Sequence, residues 1–326
     1  MRPNIAVFLL FFSMSITVLA QSARQEKAIT LPAGVSVDIA SASVSPTGNL
    51  VAAICSDDML RIWSAQSGEL VRSLKANTGA HSAVQFSGDG RLLAVAYEIV
   101  AYEKGTIQVF DVDSWKLEDD LTSLPLYAVI FSPDSRRLSD AGDLGTEIWD
   151  LKAQKKVASM SPPFGGSAAL AFSPDGRWVA TADQDTFVRV YDASTGNLHS
   201  SLQGSLLEPA AVAFAAGGKS LVVGRVDKTV SIIDPDAGKV IRALPKQPGL
   251  IWSIDVAADG KRAVIGYNSA EGFSDIHHLT LWDLDKGTVL ADFQKPGIIV
   301  TGGTFVGDHY LFLAASGNQL TLWSLP

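Results

Sequence analysis

The sequence predicts an all-β fold of seven four-stranded antiparallel units closed into a ring, on two markers that recur in step. The first is a turn after an apolar run: Ser45-Pro46-Thr47-Gly48, Ser87-Gly88-Asp89-Gly90, Ser132-Pro133-Asp134-Ser135, Ser173-Pro174-Asp175-Gly176, Ala215-Ala216-Gly217-Gly218, Ala257-Ala258-Asp259-Gly260 and the degenerate Val306-Gly307-Asp308-His309. Their first residues lie 42, 45, 41, 42, 42 and 49 positions apart. Pro, Asp and Gly suit such turns because they preset φ or tolerate positive φ. The second marker is a segment ending in an aromatic and usually an Asp: Arg61-Ile62-Trp63-Ser64, Gln108-Val109-Phe110-Asp111, Glu147-Ile148-Trp149-Asp150, Arg189-Val190-Tyr191-Asp192, Thr280-Leu281-Trp282-Asp283 and Thr321-Leu322-Trp323-Ser324, with Ser231-Ile232-Ile233-Asp234 as the aliphatic variant. Its apolar-polar alternation is that of a half-buried strand. Turns at both ends of each hairpin give four strands, a to d, per repeat.

Taken in order, residues 1–20 stand apart from the ring. Arg2 precedes an apolar run from position 5 to 19, and Val18-Leu19-Ala20 precedes Gln21. This pattern predicts a secretory signal peptide cleaved after Ala20. The run is shorter than the roughly 20 residues that span a bilayer. No cysteine adjoins the cleavage site, which excludes a lipoprotein anchor, so the expected location is periplasmic or secreted. Residues 21–326 then form the ring. Residues 25–35 carry strand d of the closing unit, and units follow at about 36–76, 77–123, 124–162, 163–204, 205–247, 248–295 and 296–326. The last apolar residue of strand d falls 12 positions before that of the next strand a in Leu74/Phe86, Met160/Phe172, Leu202/Phe214, Leu244/Val256 and Phe293/Phe305. The chain reaches Pro326 just after a strand c, and Leu31 lies 13 positions before Val44. An N-terminal strand is therefore expected to close the ring and remove its open edges.

On these residues the chain, from Gln25 to Pro326, resembles the WD-repeat (WD40) family of β-propellers. Unit 4 matches best, with Phe172-Ser173-Pro174-Asp175-Gly176 and Asp185-Thr186-Phe187-Val188-Arg189-Val190-Tyr191-Asp192. The family's Gly-His before strand a is missing. The Asp six residues before the aromatic position persists as Asp57, Asp143, Asp185 and Asp227, a structural blade-turn residue by resemblance, while Lys104, Ile276 and Gly317 stand there elsewhere. The resemblance implies a seven-bladed propeller that relies more on apolar packing than on a buried Asp-His network.

Composition narrows the function. With 26 Lys+Arg against 34 Asp+Glu, the net charge of −8 argues against nucleic acid. A single cysteine, Cys55, excludes a disulfide framework and multi-cysteine metal sites, and its strand b setting predicts a buried thiol. His277 and His278 are adjacent on a strand and point to opposite faces. No HExxH, EF-hand, GxSxG or phosphate-loop pattern occurs. The Asp pairs at 111/113, 234/236 and 283/285 recur at the c–d hairpin, where Asp accepts local backbone hydrogen bonds. No catalytic residue, metal ligand or cofactor is expected.

The departures from the repeat say more. Blade 2 inserts residues 97–104 and blade 6 residues 267–278 between strands b and c. In WD-repeat propellers the b–c and d–a loops share one rim. Tyr97, Tyr102, Tyr267 and Phe273 on these insertions are of types enriched in interface hot spots. Tyr127 and Trp252 occupy a strand a position filled elsewhere by Ala40, Ser82, Ala168, Ala210 and Thr301, and Asp255 faces the channel. The expectation is an exported, non-catalytic protein-interaction scaffold using this rim. Glu98, Glu103, Glu271 and Asp275 on it imply a partner with basic surface. A periplasmic propeller enzyme, lactonase-like or a dehydrogenase subunit, and a propeller binding a small ligand or glycan in the channel are the alternatives.

Overall fold

The computed structural model describes residues 24–30, 39–76, 82–100, 104–203, 207–268, 277–293, 300–306, 310–315 and 319–324. The signal-peptide assignment, Tyr102 and Phe273 lie outside them. Every strand belongs to a four-stranded antiparallel sheet. Six sheets are blades built from four consecutive strands, spanning 39–75, 82–123, 128–160, 167–203, 209–243 and 251–293. A further four-stranded sheet is stitched from the two chain ends: Arg24–Thr30 pairs with Gln319–Ser324, which continues to Tyr310–Ala315 and Val300–Val306. The expectation of seven repeat blades is corrected to this extent. Six blades are continuous repeats with a described core, and the remaining sheet is a composite. Its turn at 307–309 lies outside the described residues.

The repeated turn explains the regular spacing. Gly48, Gly90, Gly176 and Gly260 adopt φ near +70° (71°, 74°, 70° and 68°), where L side chains are strained. Ser135 takes the same place in blade 3 at φ 58°. The turns of blades 2 to 4 are locked by their own side chains. The hydroxyls of Ser87, Ser132 and Ser173 donate to Asp89, Asp134 and Asp175 at 2.7, 2.6 and 2.5 Å. The same hydroxyls accept the N–H of Leu92, Arg137 and Trp178 at 2.9 Å each. All the information sits within six residues, so it is legible wherever the motif occurs.

Blades pack face to face, so strand b, near the middle of each sheet, is buried on both sides. Val51 through Cys55 are at most 1% exposed, which accounts for uninterrupted apolar runs where alternation would otherwise be expected. Leu221 and Val223 of blade 5 pack with Ala180, Ala182 and Val188 of blade 4. Outer strands d are mostly exposed, as the edge of each blade must be.

Candidate partner-binding rim and central channel

Antiparallel order places the b–c hairpins and the d–a connections at one end of the ring and the a–b and c–d turns at the other. On the first rim, blade 2 is distinctive. Its strands b (Leu92–Val100) and c (Lys104–Asp111) have nine and eight residues where most blades have six. Pairing continues beyond Tyr97↔Thr106 to Glu98↔Gly105 and Val100↔Lys104, so the ladder runs about 7 Å further than in the neighbouring blades. In blade 6 the ladder reaches Asn268↔His277, and the rest of the insertion lies outside the described residues.

The structure separates the aromatic residues read as rim anchors. Tyr97 is buried at 4% exposure and packs between blades 1 and 2. Tyr267, at 5%, joins the blade 5–blade 6 core and stacks on His278, with ring centroids 5.1 Å apart and planes 6° apart. Both are the sixth residue of strand b, a position that blade packing buries, so their rings are core rather than surface. Tyr127 and Trp252 remain half-buried at the start of strand a. In blade 6 the a–b register shifts between Ile251 and Ser253, which makes Trp252 the residue of a β-bulge. Shifts at the same place make Ala40, Ala168, Ala210 and Thr301 its equivalents. The indole covers Gly266 of strand b, where a Cβ would lie 3.1 Å from the ring.

Asp255 sits three residues further along strand a, toward the opposite rim. Its Oδ2 accepts the N–H of Phe305 at 2.8 Å and its Oδ1 that of Val256 at 2.9 Å. It therefore braces blade 6 to the closing sheet. Two equivalent residues do the same elsewhere: Ser43 Oγ accepts from Phe86 N–H at 3.1 Å, and Gln85 Oε1 from Phe131 N–H at 2.7 Å. Blades 3 to 5 place Ile130, Ala171 and Ala213 at that level, which carry no acceptor. The channel thus has a polar arc and an apolar arc. They enclose a cavity of about 540 Å³ on the a–b side, lined by Gln85, Phe131, Phe172, Phe214 and Asp255 among others.

The blade-turn aspartates follow two patterns. Asp57 and Asp185 each grip the strand c arginine four residues on: Asp57 holds Arg61 at 2.8 and 2.5 Å, and Asp185 holds Arg189 at 2.8 and 2.7 Å. Asp227 accepts the N–H and hydroxyl of Thr229 at 3.0 and 2.5 Å, and Asp143 accepts Gln184 Nε2 at 3.4 Å. At the c–d hairpins Asp111, Asp150, Asp192, Asp234 and Asp283 accept local N–H groups, a structural task. Cys55 is fully buried, and burial pushes its thiol pKa up. Among the described residues no group of three or more His, Cys, Asp or Glu is placed to hold a metal ion.

Among the described residues, three buried charges on strand b were missed from sequence. Asp183, at 0% exposure, accepts from Ser167 at 2.8 Å and from Arg189 at 2.5 Å; burial still raises its pKa against those bonds. Asp140, at 1%, accepts Glu147 N–H at 2.8 Å and Trp149 Nε1–H at 3.5 Å. Burial first, and the charge of Glu147 second, push its pKa up to about 7. Arg225 ends strand b of blade 5 at 1% exposure. The available signal was a charged residue inside an otherwise apolar strand b run.

The geometry is that of a β-propeller with Ser-Asp turns in blades 2 to 4. Two stretches, residues 29–64 and 158–192, match the WD40 family, described as "WD domain, G-beta repeat". Each match runs from a strand d through the following strand c, so the sequence repeat is staggered by one strand against the blade. The chain is 28% identical over 153 residues to eukaryotic translation initiation factor 3 subunit I of Culex quinquefasciatus, covering 41% of this chain and 45% of that protein. It is 25% identical over 248 residues to autophagy-related protein 16 of Arabidopsis thaliana, covering 73% and 46%. It is 31% identical over 141 residues to the uncharacterized WD repeat-containing protein sll1491 of Synechocystis sp., covering 43% and 40%. The matches span less than half the length of these relatives.

Proposed function

We propose that this chain is an exported, non-catalytic scaffold that binds a protein partner through the rim of b–c hairpins and d–a connections. The observation that carries the reading is the blade 2 hairpin, which stands proud of the rim on the same end as the half-buried Trp252 bulge. An elongated two-stranded arm and, elsewhere on the same rim, an aromatic that replaces Ala make a surface suited to an anchor-and-arm contact. One matched relative is by name a subunit of a larger factor, which agrees with an assembly role. The acidic side chains of the two insertions favour a partner with basic surface, and the net charge of −8 disfavours nucleic acid and an anionic membrane. Tyr127 and Trp252 are the anchors retained, with Tyr102 and Phe273 on the insertions. Cleavage of the signal peptide after Ala20 would release the mature chain to the periplasm or outside the cell.

Cross-linking capture from the native envelope, followed by titration of the captured partner, tests this. The mature chain would be compared with Trp252→Ala and with a variant whose residues 99–103 and 269–276 are replaced by tight turns. One partner bound tightly by wild type, at least about tenfold more weakly by either variant and more weakly at high salt, is the expected result. Equal binding by all three would sink the rim assignment. Mature protein still beginning at Met1 would end the export reading, and a stoichiometric bound metal would favour a propeller enzyme.

A further inference from the structure

The sixth residue of strand b forms a buried tier around the ring, occupied by Cys55, Tyr97, Gly142, Asp183, Arg225 and Tyr267. Tyr97 and Tyr267 pack among apolar side chains, and Asp183 is matched by Arg189 and Ser167. Arg225 differs. Its backbone is engaged in the b–c turn, its N–H donating to Thr229 O at 3.0 Å and its C=O accepting from Lys228 N–H at 3.1 Å. Its guanidinium Nε and Nη2 are buried and have no acceptor. The charge of Asp227 acts on it through space, while Asp227 Oδ1 is taken by Thr229.

Alternation fixes where the side chain goes. A Cβ on Gly224 would lie 2.3 Å from Ile251 Cγ2, so that residue faces blade 6. Arg225 therefore faces blade 4, on the side where Leu221 and Val223 meet Ala182. Arginine keeps its proton under all ordinary conditions. A buried guanidinium without acceptors is costly unless an anion completes it. Burial indeed pushes the Arg225 pKa down.

The two orphan donors decide which anion. Nε–H and Nη2–H lie on one edge of the guanidinium plane and point the same way, the fork that a carboxylate accepts with both oxygens. We infer that Arg225 is the receptor for a single carboxylate group at the b–c end of the seam between blades 4 and 5. Asp227, whose charge acts on Arg225, favours a monoanion over a doubly charged phosphate. The site does not depend on the scaffold reading and is tested without a partner.

Thermal unfolding of the mature chain at fixed ionic strength would compare chloride with formate and acetate. A short peptide ending in a free carboxylate would be compared with its C-terminal amide. Formate or acetate should raise the wild-type Tm by at least about 2 °C over chloride, and Arg225→Met should abolish the increment. If only the peptide acid stabilises, and its amide does not, the carboxylate comes from a polypeptide and the receptor still stands. Arg225→Lys keeps the charge without the fork and should lose most of the effect. No carboxylate-specific shift, or the same shift in Arg225→Met, would overturn the inference. Should the variants not fold, the wild-type Arg225 Nε–H resonance must move on acetate titration; an unmoved resonance also overturns it.

Discussion

Blades 4 and 5 place opposite charges at one backbone position, and only one of them is compensated. In blade 4 the strand b terminus is Asp183, the turn residue is Asp185 and strand c supplies Arg189, which bonds both carboxylates. In blade 5 the same three places hold Arg225, Asp227 and Ser231. The repeat geometry that brings Arg189 to Asp183 brings only a serine into register in blade 5, and Asp227 is bonded to Thr229 instead. A repeat thus supplies positions, and the residue types decide whether a buried charge is closed within its blade or left for an external group.

The comparison breaks most sharply at Arg189. Replacing it by Met leaves Asp183, at 0% exposure, without its cation, and removing one partner of a buried pair costs about 3–5 kcal/mol. Urea unfolding should show a loss of that size, and adding Asp183→Asn should recover a large part of it. A loss below about 1 kcal/mol would mean that the cluster contributes no more than a surface pair.

Asp140 tests buried charge without a cation. Its folded pKa, about 7, lies above the ordinary carboxylate value, so the native state holds a proton that the unfolded chain releases. Its contribution is therefore most favourable below about pH 4 and is lost as pH rises toward and past 7. The window amounts to on the order of 2–4 kcal/mol. Asp140→Asn should flatten the fall in stability between pH 5 and pH 8, measured by urea unfolding at each pH. An unchanged slope would assign the pH dependence to other groups.

Arg225 should behave in the opposite sense to Arg189. In chloride buffer, Arg225→Met removes a buried charge that has no acceptor for two of its nitrogens and is expected to stabilise the fold by about 1–3 kcal/mol. Destabilisation of similar size would show that this guanidinium is satisfied within the chain, and the contrast between the two blades would disappear.

What was legible in the sequence follows the range of the interactions. The Ser-Asp-Gly turns and the aromatic-Asp strand endings are closed within six or so residues, so their spacing gave the sheets and the strand order. Trp252 was recognised as exceptional because its equivalents are small, although the β-bulge that aims it was not visible. Tyr97 and Tyr267 were read as rim residues because each begins an insertion. Their burial depends on the neighbouring blade, more than 40 residues away in some contacts, and nothing local reports it. The channel-facing place of Asp255 is legible, but its role as acceptor for Phe305, 50 residues on, is not, for the same reason. Arg225 went unnoticed because a lone arginine beside a turn reads as solvated until the packing of two blades is known.

The smallest expected effect lies at the exposed end of blade 4. Asp192 accepts the hydroxyls of Ser194 and Thr195, at 2.5 and 3.0 Å, and the N–H groups of the same residues, at 2.9 and 3.0 Å. The Ser194 hydroxyl is the largest cause that holds its pKa down at about 2. Because the folded value is depressed, the stabilisation is present above about pH 4 and is lost as pH falls toward 2. Asp192→Ala should cost about 1 kcal/mol at pH 7, the scale of a lost side-chain cap on backbone N–H groups, and almost nothing at pH 2. Asn at this position keeps an acceptor and should recover about half of the loss. If Asp192→Ala cost as much as the Arg189 substitution, burial would not be what separates the strong sites of this ring from the weak ones.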